Sequence, residues 1–437
     1  MRVRGVGVPS PDAPAGIRRL TTADHMALSV LWLALNAQWL TIVPIVVPDQ
    51  VAGIIGPDDA SKAGIVGSVT AAGAFVALVV APIAGALSDR LRAPRGRRRP
   101  FLIYGVNASC LALLPLALFG AGSSLGLYVL AILNLQFWWN GTAGAYAGLI
   151  PDVVPAEAQS RASGWLNVMT IAGTILGNVL VWAFYRPDRV WPLIGAFIVL
   201  NVGCLTLTLW RVREPPARVA REAFDLRAFM RSFLLDPRAN ANLYWVLVTR
   251  LAANMGVWSV FTFLLFYLES VAGLQREAAV KVLPMLLGTG AVLAIPASMI
   301  GVWLAEKYGI VRFVSFMSWI MCAAVSCFAL IAINPNLPLV AVLAIVFAIA
   351  GGAYGAIDWA LALKVLPAGQ DAGKDMGIWH VSMVVPQILG PAAMGWMISA
   401  IEAAASARVA YAVAFAIAAL WFAPAALLVN RVRLAAA

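Results

Sequence analysis

Along this chain the apolar positions gather into long runs of about 20 residues, each enough to cross a bilayer's hydrocarbon core as a helix. The runs predict twelve spans, near residues 24–48, 62–88, 100–121, 125–150, 161–184, 190–211, 242–269, 278–305, 311–333, 337–366, 376–400 and 408–430. The longest polar interval, from Arg211 to about Asn240, is rich in Arg and holds Pro215, Pro216 and a Leu226–Phe233 stretch that reads as a short surface helix. It divides the spans six and six. The expected organisation is an N-terminal segment (1–23), a six-helix bundle (24–211), a linker (212–240), a second six-helix bundle (241–430) and a tail (431–437).

The two halves echo one another at a nearly constant offset. Gly164 and Gly177 recur as Gly377 and Gly390, Pro155 as Pro367, and Gly85 as Gly301. Asn36 to Trp39 in the first span faces Asn254 to Trp258 in the seventh. Duplication explains these matches together, and six helices repeated in parallel is the architecture of an alternating-access carrier. The expected fold class is therefore an all-α membrane protein of twelve transmembrane helices in two pseudo-symmetric bundles.

Composition agrees, with 62% of the 437 residues hydrophobic and only 12% charged. A soluble domain has about 25% charged residues, so soluble enzymes, secreted scaffolds and disordered proteins are excluded. The net charge of +11 invites a nucleic-acid reading, but its distribution removes it. With both termini inside, 24 of the 31 Lys and Arg fall on cytoplasmic segments and six outside, with Arg250 inside a span. That is the positive-inside asymmetry of a multi-pass cell-membrane protein with cytoplasmic termini. The four cysteines lie within spans without a CxxC pair, and two histidines make no zinc site. No metal or other cofactor is expected, and a monomer is the expected working unit.

The sharpest motif lies between spans 2 and 3: Gly85-Ala-Leu-Ser-Asp89-Arg90-Leu-Arg-Ala-Pro-Arg-Gly96-Arg97-Arg98-Arg99-Pro100-Phe101. An acid at the C-terminal end of a helix opposes the helix dipole unless a cation compensates it. Asp89 with Arg90 and the Arg97, Arg98 and Arg99 cluster reads as a charge lock, a natural gate element, whereas mere anchoring of the loop leaves the Gly85, Asp89 and Gly96 spacing unexplained. This sequence resembles the loop signature of the major facilitator superfamily, and its SDR followed by GRRRP is similar to the sucrose and glycoside cation symporter branch. The stretch 147–180 is similar to the span 4–5 region of that branch, with Asp152, Arg161, Gly173, Gly177 and Asn178 at the matching points. Segment 354–391 looks like bacterial relatives of that branch. Asp152 and Arg161 join the candidate gate on this resemblance.

Ionisable groups inside a bilayer are costly and mark function. Asp358 lies well inside span 10, about 9 residues or ~13 Å from its end, and Arg250 lies at a similar depth in span 7. The resemblance implies that spans 1, 4, 7 and 10 line a central cavity, where the two charges meet. Burial favours a neutral carboxyl and a nearby guanidinium favours a charged one, so displacing the Arg would switch a proton on or off. Asp358 is the candidate proton-coupling acid with Arg250 as partner; the competing reading is a permanent structural ion pair. His380 is a candidate relay or a packing residue.

A sugar needs directional polar groups and flat apolar faces. The candidates are Asn36, Gln38 and Trp39 on span 1, Asn134, Trp138, Asn140 and Tyr146 on span 4, Asn254 and Trp258 on span 7, and Tyr354 and Trp359 on span 10. Asn134, Trp138 and Asn140 do not share one helix face, and each Trp or Asn has an alternative as a packing or interhelical residue. Asp49 and Glu269, at the outer ends of spans 1 and 7, belong to an outer gate or are simply solvated. The leading expectation is proton-coupled symport of a small polar solute, a sugar or glycoside, since spans 2 and 4 lack interior acids for a Na⁺ site. The alternatives are a proton-driven efflux antiporter, a uniporter, and a non-transporting receptor or scaffold of the same fold. No nucleophile–base set or ligand cluster points to an enzyme.

Overall fold

In hydrocarbon every backbone N–H and C=O must find a partner within the chain, so the apolar runs have to become helices. The structure is a computed structural model and describes residues 20–94, 96–120, 124–155, 158–214, 240–365 and 372–433. The surface helix expected at Leu226–Phe233 lies outside the described residues.

Each expected span is a helix. In chain order the first half holds α1 (Thr22–Ile55), α2 (Lys62–Arg90), α3 (Arg99–Phe119), α4 (Leu125–Ala147), α5 (Gln159–Phe184) and α6 (Trp191–Arg211). The second half holds α7, Ala241–Phe261 continued by Leu264–Ser270 after a 42° bend, α8 (Arg276–Tyr308) and α9 (Ile310–Ile331). It ends with α10 (Leu337–Val365), α11 (Ala372–Ala404) and α12 (Ala407–Leu428). Helix α1 runs past its expected end because Ile42–Val46, around Pro44, relaxes into a π-helical turn that lets the helix continue. Conversely α4 stops at Ala147, and the chain resumes as a short helix, Leu149–Val153. Asn134, Gln136 and Asn140 dilute the apolarity of α4, but its 23 residues give ~35 Å of helix, enough to span.

The halves pack by one scheme. Helix α1 lies against α5 and α6, α4 against α2 and α3, and α3 against α6; six helices later α7 lies against α11 and α12, α10 against α8 and α9, and α9 against α12. The halves meet through α2 on α11 and α5 on α8, contacts that the same six-helix shift interchanges. An even number of spans puts both termini on one face, here called the terminal face; the opposite one is the far face.

Small residues set the closest approaches. Gly173 and Gly177 of α5 face Leu33 O and Ala37 O of α1 so closely that a Cβ at either has no room. The offset partner of Gly177, Gly390 of α11, faces Met255 O of α7, where a Cβ would sit 3.3 Å away. Gly85 approaches Gly144 across α2 and α4, as Gly301 approaches Ala353 across α8 and α10. Lipid gives no hydrophobic drive for helices to associate, so backbone approach of this kind carries the packing. Exposed Leu111, Leu130, Val199, Met299 and Leu420 stand on the periphery, where lipid replaces water. Gly177→Ala therefore overpacks the α1–α5 seam and lowers the melting temperature of the detergent-solubilised protein by several degrees, about 1–3 kcal/mol. By contrast Gly195→Ala, where a Cβ meets nothing within 4 Å, leaves it unchanged or raises it slightly.

Candidate functional site

A cavity of about 430 Å³ lies between the halves, walled by α7, α8, α9 and α10 and closed from the other side by Leu40 of α1 and Thr174 and Asn178 of α5. Helix α7 rises from the terminal face and α10 returns to it, so Arg250 and Asp358 reach the cavity at one level. Arg250 Nη1 donates to Asp358 Oδ2, and its Nη2 lies 3.5 Å from Met383 Sδ of α11. Only 9% of Arg250 and 2% of Asp358 is exposed. Asn254, one turn beyond Arg250, donates through Nδ2 to Arg250 O at 2.9 Å. Tyr354 stands one turn from Asp358 on the same wall. The wall can hold an ion pair closed, or part it around a solute.

The structure brings Arg250, Asn254, Tyr354 and Asp358 together at this cavity, and puts several other candidates elsewhere. Gln38 is buried between α1 and α6, where its Oε1 accepts from Asn201 Nδ2 at 2.9 Å. Asn140 donates to Gln136 O, 2.8 Å away on its own helix. The Tyr146 hydroxyl donates to Leu28 O and staples α4 to α1. Those three are tied up within the first half: Gln38 and Tyr146 reach a neighbouring helix, and Asn140 bonds back to its own. Trp39 stacks on Trp139 with ring centroids 5.0 Å apart, between α1 and α4. Asn36 lies one turn from Leu40 and donates to Trp32 O, as Asn254 donates to Arg250 O. Trp138 is exposed and meets Phe137 edge-on, while Trp258 meets Phe261 the same way. The side chains of Trp359 and His380 lie outside the described residues. Thr174 and Asn178, absent from the sequence candidates for solute contact, line the cavity.

At the terminal face the basic loop folds back on its own half. Arg98 donates to Asp89, to Ser88 and to Asp152. Arg97 makes a two-point pair with Asp152 and stands 4.0 Å from Asp89. Asp152 thus receives both guanidinium groups. Burial pushes its carboxyl up, but the hydrogen bonds from Arg97 and Arg98 outweigh that and hold it below the ordinary range. Arg90 turns back to Ala86 O, Arg99 opens α3, and Arg161 is exposed at the start of α5. The sequence reading missed Glu214, just after α6, which accepts from the Arg98 backbone N–H at 2.8 Å. Burial raises the Glu214 carboxyl. It sits against Gly96, whose φ of 105° and absent Cβ let the acid approach.

At the far face the two halves are joined directly. Asp49 of α1 is 1% exposed, which removes the solvated alternative for it. Its carboxylate accepts from Arg276 of α8 and from the Tyr185 hydroxyl, and Arg276 Nη2 also donates to Asp49 O at 2.8 Å. Lys281 of α8 donates to Tyr185 O at 2.8 Å. Between α2 and α11, Lys62 lies 3.9 Å from Glu402, Gly64 N donates to Ser399 Oγ at 2.9 Å, and Trp396 Nε1 donates to Ser68 Oγ at 2.9 Å. Gly67 and Gly395 let the α2 and α11 backbones touch. In the sequence Lys62, Arg276 and Lys281 stood out only as outside cations.

Comparison with known proteins accords with this architecture. A general alpha-glucoside permease of Schizosaccharomyces pombe is 28% identical over 190 residues, 37% of this chain and 34% of that protein. A sucrose transport protein of Oryza sativa subsp. japonica is 28% identical over 179 residues, 33% of each chain. The matched stretch thus spans about a third of the length of these curated relatives. Among solved structures, a bacterial homolog of the human lysosomal transporter Spinster, in an inward-facing and occupied conformation, superposes with a TM-score of 0.71 at 15% identity, covering 95% of this chain and 97% of that one. A D-xylose-proton symporter superposes with a TM-score of 0.69 at 14% identity, over 91% and 96% of the two chains. Since residues 28–370 match the family as a whole, the chain belongs to the Major Facilitator Superfamily.

Proposed function

We propose that this protein is a secondary transporter that imports a sugar or glycoside together with protons by alternating access. The observation that carries the reading is the buried Arg250–Asp358 pair in a cavity to which both halves contribute. With the pair closed, Asp358 holds its charge against Arg250. A solute that inserts between them removes that compensation, and the buried carboxyl then takes a proton rather than stay charged without a partner. Solute and proton load together, and re-forming the pair expels both. The names of the relatives, an alpha-glucoside permease and a sucrose transport protein, support the solute class. The cation-rich segments support a cytoplasmic terminal face in a cell membrane.

Two gates follow. At the far face, Asp49–Arg276 and Lys62–Glu402 are cross-half latches that part when the cavity opens outward. At the terminal face, the Asp89–Arg98–Asp152–Arg97 cluster stiffens the α2–α3 loop and the α4–α5 connection that move together when the cavity opens inward. The same cavity in an efflux antiporter is the second reading, favoured by its predominantly apolar lining.

In proteoliposomes with an imposed pH gradient, Asp358→Asn abolishes gradient-driven accumulation across a sugar panel while solute exchange persists. Accumulation at the wild-type level in that variant removes Asp358 from coupling, and gradient-driven extrusion of an organic dye instead replaces import by efflux. A permanent structural role for the pair predicts something else, namely that Arg250→Gln with Asp358→Asn recovers both folding and pumping. For the far gate, Asp49→Asn weakens the latch by more than 1 kcal/mol and raises outward opening about tenfold. Labelling of Val257→Cys by a membrane-impermeant maleimide, in a background lacking the four native cysteines, reads this directly; an unchanged rate contradicts the latch.

A further inference from the structure

One acid at the far-face junction is left without a partner. Glu269, in the last turn of α7, makes no hydrogen bond or ion pair among the described residues. It is nonetheless set among charges: Asp49 of α1, Lys62 of α2, and Arg276 and Glu277 of α8 all act on it electrostatically. Lys62 Nζ stands 5.6 Å from the centre of the Phe266 ring, one turn before Glu269 on the same helix. Both nearby cations are already engaged. Arg276 is held by the carboxylate and the carbonyl of Asp49, and Lys62 by Pro57 O at 2.7 Å and by Glu402 of α11. A carboxylate at Glu269 is therefore half-buried without a cation of its own, and at the C-terminal end of a helix, where the dipole opposes an anion.

The second half carries the means to change this. When the far face opens, Asp49 and Lys62 leave with the first half, while Glu269, Arg276, Glu402 and Tyr411 stay together on the second. Glu269 and Arg276 flank the short turn between α7 and α8, so an Arg276 released by Asp49 finds Glu269 on its own half. Glu402, released by Lys62, finds a spare group as well. The Tyr411 hydroxyl of α12 is fully buried, has no hydrogen-bond partner among the described residues, and faces both Glu402 and Glu269; one oxygen of Glu402 is likewise unpartnered. Buried polar atoms are normally satisfied, so a donor left idle beside two acids marks a bond made in another state.

We propose that Glu269 is a second proton-binding site, reached from the far face, whose proton holds the outer latch shut. With the face closed, Glu269 is a neutral carboxylic acid and Arg276 belongs to Asp49. On opening, Arg276 passes to Glu269 and the carboxyl O–H breaks, which leaves a carboxylate and delivers its proton to water on the far side. Closing reverses both steps. The site takes and returns its proton on one side, so it adds nothing to the number of protons carried; instead it makes far-side acidity favour closure. This inference rests on the alternating access proposed above, but not on the solute or on Asp358.

The test is the separation of two spin labels across the far face, at Asp58→Cys between α1 and α2 and at Ala405→Cys after α11. The labels are carried by protein lacking the four native cysteines, in lipid nanodiscs without solute, as pH is varied. A closed and an open separation are expected, and the open-to-closed ratio rises about tenfold per pH unit for the one proton that Glu269 releases. Glu269→Gln, which is always neutral, favours the closed separation and loses that proton's share of the slope, whereas Glu269→Asp keeps it. Glu269→Ala supplies a second neutral side chain if Glu269→Gln does not fold. A slope in the neutral variants equal to that of the wild type, or a wild-type ratio indifferent to pH, overturns the inference. Asp49→Asn, which frees Arg276, tells this failure from a deeper one. Labels that move apart in Asp49→Asn while the wild type ignores pH leave alternating access standing and remove the proton site; labels that never separate overturn the outer gate as well.

Discussion

A guanidinium and a carboxylate held together inside hydrocarbon impose the strongest constraint on this molecule. Removing one partner of a buried pair costs about 3–5 kcal/mol, because the survivor keeps its charge without compensation. Arg250 and Asp358 sit on helices that approach from one face, with 107 residues between them in the chain, so the whole second half has to be registered for the pair to close. The same constraint makes the pair responsive. Anything that separates the charges must supply new partners, and a proton is the smallest group that does.

Rigid halves are the condition for such a pair to act as a switch rather than a flaw. Within each half, glycine and alanine bring helix backbones into contact: Gly173 and Gly177 against α1, Gly144 against α2 and Gly352 against α8. Between the halves, small residues are concentrated where α2 crosses α11 near the far face, and there the interface also carries ion pairs and directional hydrogen bonds. Close packing resists gradual deformation, so under the proposed alternating access a change at the cavity would be expressed as movement of one half against the other.

Much of this was legible in the sequence because hydrocarbon leaves few choices. The twelve spans followed from apolar run length; the rarity of intramembrane charge singled out Arg250 and Asp358, and the resemblance to the superfamily, through the cavity-lining helices it implies, brought them together. The repeat was visible in glycines such as Gly177 and Gly390 because both occupy equivalent backbone crossings. What stayed hidden depended on which way a side chain points. Gln38, Asn140 and Tyr146 have the chemistry of a solute site, but Gln38 and Tyr146 bond to neighbouring helices and Asn140 to its own. Asn178 was noticed as part of a motif, yet nothing local marked it as part of the cavity wall. Asp49 and Arg276 pair across 227 positions, and Glu214 reaches Arg98 across 116, distances that no periodicity encodes.

The central claim is that Asp358 exchanges its arginine partner for a proton when solute enters. Potentiometry of the purified protein in weakly buffered solution tests it most directly, by recording pH as a sugar that binds is added. The account predicts uptake of about one proton per solute bound in the wild type and none in Asp358→Asn, where solute still binds. Solute binding with no proton exchange in the wild type at any pH would contradict it.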